Sequence, residues 1–114
     1  QYFLEDDDEH PITFIYNIDV FSELEGGGGV LSIITAQPLA DDERTQKRLL
    51  EKIEIYLLFI NSDQFPTEGG PHTIENTTIE VILRKGTSHI IIDLLEKCVP
   101  WVSNNNSKLL WKIS

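Results

Sequence analysis

Apolar residues in this chain recur at two different spacings, and the switches between them outline the elements. From Ile12 to Asp19 the spacing is two, with Ile12, Phe14, Tyr16 and Ile18 on one side and Thr13, Ile15 and Asn17 on the other. Aromatic and β-branched residues at that period predict a strand, which Val20 to Glu25 extend or lead out of. Gly26-Gly27-Gly28-Gly29 breaks regular structure, and Val30 to Thr35 predicts a second, more apolar strand. A strand, a glycine turn and a strand read most simply as an antiparallel hairpin.

After Pro38 the period lengthens. Leu49, Ile53, Tyr56, Leu57 and Ile60 recur at three- and four-residue spacing, the signature of one buried helical face. Asp41 or Asp42 supplies the helix cap, and Asn61-Ser62-Asp63 closes it. Residues 64–71 read as a loop. A third strand is predicted within Thr73 to Arg84, marked by Ile79, Val81 and Leu83. Thr87 or Ser88 then caps a second helix whose inner face carries Ile91, Leu94, Leu95 and Cys98, with Pro100 expected to stop or kink it. Lys108 to Ile113 forms the last strand, with Leu109, Trp111 and Ile113 aligned. The order is ββαβαβ. It predicts an α+β fold, a four-stranded mixed or antiparallel sheet with two helices packed on one face.

Composition adds a class and a charge layout. The 114 residues fit one domain, expected over residues 12–114, preceded by a flexible acidic arm over residues 1–11. The net charge is −10, and it is unevenly placed. Residues 1–25 hold Glu5, Asp6, Asp7, Asp8, Glu9, Asp19, Glu23 and Glu25 with no Lys or Arg, while the rest of the chain is nearly balanced. Repulsion from phosphate argues against nucleic acid and anionic membranes as partners. No stretch reaches the length of a membrane span. The start runs from Gln1-Tyr2-Phe3-Leu4 straight into acids, unlike a signal peptide, although the missing initiator Met leaves a removed leader open. A single cysteine, Cys98, excludes an internal disulfide and fits a reducing, cytoplasmic setting.

Candidate chemistry meets geometric objections. The glycine run is followed by a strand, not a helix, and lies beside Glu23 and Glu25 with no Lys near, unlike a phosphate cradle. The acids Glu5 to Glu9 lack the alternating ligands and central glycine of a calcium loop. His10, His72 and His89 form no zinc spacing. Cys98 and His89 fall on opposite faces of their helix, so the thiol has no base there and reads as packing. Arg44, Lys47, Arg48 and Lys52 form a basic stripe on the first helix, read as a mixed solvated face that could also receive the acidic arm. No catalytic residues, cofactor or metal are expected.

From Val30 onward the chain resembles a family of small bacterial proteins of uncharacterised function. The resemblance is carried by Val30-Leu31-Ser32-Ile33-Ile34, by the helix stretch from Leu49 to Ser62, by Ile79-Glu80-Val81 and by Leu94-Leu95-Glu96-Lys97. It covers the chain to Ile113 and implies a bacterial, cytosolic setting without an assigned activity. The tetraglycine turn and the acidic arm depart from the family pattern. The expected function is protein binding without catalysis, in the manner of an immunity-type inhibitor of a basic partner. Its contact residues are expected to be Glu5, Asp6, Asp7, Asp8, Glu9, Glu23 and Glu25. The alternatives are a small-ligand binder or minor enzyme using His89, Asp93 or Tyr56 between sheet and helices, and a homodimer joined through the Leu109–Ile113 edge.

Overall fold

In a computed structural model describing residues 5–66 and 72–114, the chain forms β1 (Val20–Glu23), β2 (Gly29–Ile34), α1 (Glu43–Ile60), β3 (Thr77–Leu83), α2 (His89–Ser103) and β4 (Lys108–Ile113). The first four residues of the expected arm and residues 67–71 of the expected loop lie outside the described residues. The sheet order is β1-β2-β3-β4, with β1 antiparallel to β2 and the other two pairings parallel. This is the α+β, ββαβαβ architecture with a mixed sheet. Successive parallel strands laid down in one direction need crossovers of the same hand, which puts both helices on the same face.

That face is the core. Leu31 and Ile33 of β2, Ile79, Val81 and Leu83 of β3 and Leu109 of β4 are buried beneath Leu49, Ile53, Tyr56, Leu57 and Ile60 of α1 and Ile91, Leu95, Cys98 and Val102 of α2. Each fully buried aliphatic side chain contributes about 1.5–3 kcal/mol. Asp42 caps α1 by accepting the amide of Thr45, and Ser88 caps α2 by accepting that of Ile90. The hairpin turn requires its glycines. Gly28 has φ of +76°, and a Cβ there would lie 2.2 Å from the carbonyl oxygen of Asn76.

The first strand differs from expectation. Residues 12–19 pair with no strand, and β1 begins only at Val20. Burial there follows Ile12 and Ile15, at 1% and 0% exposure, while Phe14 and Tyr16 are 43% and 36% exposed. The segment is held by side chains of α1 instead of by a sheet neighbour, so its alternation does not mark two faces. Pro100 also departs from expectation, since α2 continues through it to Ser103. Both Pro100 and Glu96, whose carbonyl loses an amide donor there, lie on the exposed side, where water can replace the missing bond.

Candidate functional site

Thr45, Arg48, Lys52 and Tyr56 stand three or four residues apart on α1, a polar stripe beside the apolar one, and all four are buried. Each reaches residues 5–19, which run along the helix as a strap. Arg48 is 1% exposed. Its Nε and Nη2 donate to the carbonyl of Ile12 at 2.9 and 2.5 Å, Nη2 also to Thr13 at 2.9 Å, and Nη1 to Glu5 at 2.7 Å. Burial pulls the Arg48 guanidinium below its ordinary pKa, with the nearby Arg44 acting in the same direction. Lys52, also 1% exposed, donates to the carbonyl of Phe14 and to Oδ1 of Asp19 at 2.8 Å. The basic stripe is therefore not a solvated face at these two positions. Three successive carbonyls of the strap, those of Ile12, Thr13 and Phe14, accept from cationic side chains, and that of Thr13 also takes the Asp7 amide.

Tyr56 and Asp19 close the end of β1. The Tyr56 hydroxyl donates to the carbonyl of Ser32 at 2.6 Å and accepts the amide of Asp19 at 2.8 Å, while Asp19 Oδ2 accepts the amide of Ile34 at 2.9 Å. Backbone groups of β2 are thus satisfied where β1 leaves the sheet. Burial pushes the Tyr56 phenol well above its usual pKa. With both hydroxyl roles occupied, Tyr56 is a structural group.

His10 forms the remaining rung. Its Nδ1 accepts the amide of Ile12 at 2.9 Å, which fixes the neutral tautomer with the proton on Nε2. That nitrogen donates to Thr45 Oγ1 at 3.0 Å, and Thr45 Oγ1 donates in turn to Asp42 Oδ1 at 2.7 Å. Burial lowers the pKa of the ring, Arg48 and Arg44 lower it further, and Asp42 and Asp7 oppose them. The Thr45 hydroxyl bond holds the Asp42 carboxyl below its ordinary value. Asp7 is lowered mainly by the hydrogen bond from Arg44, an ion pair of 2.5 Å at the surface.

The strap places the expected contact residues in two separate groups. Glu5, Asp6, Asp7, Asp8 and Glu9 lie beside the first turns of α1, where Asp41, Asp42 and Glu43 also stand. Eight carboxylates thereby share one end of the molecule, accompanied by Arg44 and Lys47. Glu23 pairs with Gly29 at the start of β2, and Glu25 sits in the hairpin turn, at the opposite end of the sheet. The fold does not bring these two to the acidic end. Asp41, Asp42 and Glu43 were not among the expected contact residues, since spacing along the chain gives Asp41 or Asp42 the helix cap and all three a place on a mixed solvated face, with no sign that the strap runs beside them.

The other candidate residues are dispersed. Cys98 is buried on the core face of α2, where desolvation raises its pKa. His89 is exposed at the first position of α2, and His72 lies edge-on to Phe65 at 5.3 Å between ring centroids. No group of three or more His, Cys, Asp or Glu suited to a metal ion occurs among the described residues. Among the same residues, no helix is long and apolar enough to cross a membrane. No family model, curated protein or solved structure matches the chain, so the reading of the acidic end rests on its geometry and charge.

Proposed function

We propose that this is a non-catalytic, cytoplasmic binding protein that engages a basic partner protein through the acidic end, in the manner of an immunity-type inhibitor. The observation that carries the reading is the strap. Side chains of α1 hold Glu5 to Glu9 beside Asp41 to Glu43, so the carboxylates form a preformed surface and need little ordering on binding. Like charges held together repel one another in the free protein, and a cationic partner relieves that repulsion. Concentrated charge of one sign also raises the rate of encounter with a partner of the other.

The test is affinity capture at low salt from cells of the native host, using the wild-type chain and a D6N/D8N/E9Q variant. The expected result is a basic protein retained by the wild type, released as salt is raised, and lost with the variant. Identical capture by both chains would remove the acidic end from the binding surface.

A further inference from the structure

The outer surface of α1 changes character along its length. Its first half presents Glu43, Arg44 and Lys47 to solvent. Beyond Glu51 the same side turns apolar with Ile55, Leu58 and Phe59, and Leu58 is 61% exposed, the most exposed large hydrophobic residue described. Leu58 forms a ridge between two grooves. One, of about 620 Å³, is lined on its apolar side by Tyr16 and Ile18 of the strap with Ile55 and Phe59 of α1. The other, of about 150 Å³, lies between Leu57 and Trp101, where α1 approaches α2.

Two hollows either side of an exposed leucine make a contiguous apolar surface, of the kind that marks a protein contact. Its rim carries a sign. Asp63 borders the first groove and Glu54 the second, and neither lining includes a Lys or Arg. A second copy of the chain would set these carboxylates, and a net charge of −10, against their own kind. An anionic membrane meets the same repulsion.

We infer that the Leu58 ridge and its two grooves receive a basic amphipathic segment of a partner protein. Two apolar side chains one helical turn apart straddle Leu58, and Lys or Arg residues on the flanks meet Glu54 and Asp63. This rests on the proposed basic protein partner but uses residues outside the acidic end. It adds a specific apolar anchor to a charge attraction that carries little specificity by itself.

The probe is a synthetic 18-residue peptide of Leu and Lys with leucines spaced to form one helical face, titrated into the ¹⁵N-labelled protein. A scrambled peptide of the same composition and an oligolysine serve as comparisons. The expected result is saturable shifts at Ile55, Leu58, Phe59 and the Trp101 indole with the amphipathic peptide alone. L58D should weaken that binding at least tenfold, and L58A to a smaller extent; L58A should keep the wild-type urea midpoint because the side chain is exposed, and L58D should lose only the small cost of Asp in the last turn of a helix. Shifts confined to Glu5–Glu9 and Asp41–Glu43, equal shifts from the scrambled peptide, or no shifts would overturn the inference. So would a dimer in light scattering that L58D dissociates, since the occupant would then be a second copy. Oligolysine reports separately on the acidic end: absence of shifts at Glu5–Glu9 counts against that reading and leaves this one standing.

Discussion

Replacing Arg48 with Met keeps an unbranched apolar stem out to about the position of Nε and removes the fork that holds the strap. Four N–H donations to the carbonyls of Ile12, Thr13 and Glu5 are lost. Summing them as full charge-assisted bonds overshoots, because the wild-type guanidinium already bears the cost of its own burial. The net loss is set by the carbonyls left behind. Glu5 is exposed and its carbonyl rehydrates, that of Thr13 keeps the Asp7 amide, and that of the buried Ile12 is left without a partner. One orphaned acceptor costs about 1–3 kcal/mol. An upper limit comes from releasing the strap altogether, which exposes Ile12 and Ile15 at about 3–6 kcal/mol for the pair. With a urea m-value of about 1–2 kcal/mol per molar for a chain of this size, the midpoint should fall by about 0.5–3 M. Arg44→Met is the comparison, since its ion pair with Asp7 joins side chains that are 58% and 28% exposed. It should cost less than about 1 kcal/mol. Equal losses for R48M and R44M in urea denaturation would refute the structural role assigned to Arg48.

Two further predictions concern the latch and the turn. Because the folded-state pKa of His10 is depressed, folding favours the neutral ring; the stability it adds is fully present above the ordinary value of 6.5 and is lost as pH falls from there towards the folded value. Urea midpoints measured between pH 7.5 and 5 should therefore decline in the wild type and decline less in H10F, and equal slopes would show that the ring does not titrate against the fold. At the hairpin, G28A should destabilise by clearly more than the roughly 1 kcal/mol of a positive-φ penalty, because of the close approach to Asn76, whereas G26A meets no atom within 4 Å and should cost only about that penalty. Thermal melts of the two variants separate these cases.

The elements carrying apolar periodicity were legible in the sequence. Leu49, Ile53, Tyr56, Leu57 and Ile60 are all buried as their spacing required, and β4 spans the predicted Lys108–Ile113. The strap was not legible, for a physical reason. An extended segment whose carbonyls bond to Arg and Lys has the same residue preferences as a strand, so Ile12 to Ile18 looked like one. The signal that distinguishes them lies elsewhere, in Thr45, Arg48, Lys52 and Tyr56. Their spacing puts them on a single stripe next to the buried one, where long cations seldom sit unless something receives them. Charge patterning reads Arg48 and Lys52 as part of a mixed solvated face that could also receive the acidic arm, but it gives no sign that both cations are buried against the carbonyls of Ile12 to Phe14. The gathering of Asp41 to Glu43 with Glu5 to Glu9 depends on those contacts. It was therefore out of reach for composition alone.

Amide hydrogen exchange of the wild-type protein tests most directly whether the four polar rungs of α1 make the acidic segment a fixed surface. The amides of Asp7, His10, Ile12 and Asp19 are bonded to the Thr13 carbonyl, the Asp7 carbonyl, His10 Nδ1 and the Tyr56 hydroxyl respectively. Measured at neutral pH, Ile12 and Asp19 should be strongly protected, Asp7 and His10 measurably so, and R48M should lose most of the protection from Asp7 to Ile12 while β3 keeps its own. Exchange of these amides at free-chain rates in the wild type would contradict the claim and leave the carboxylates of residues 5–9 without a fixed arrangement to offer a partner.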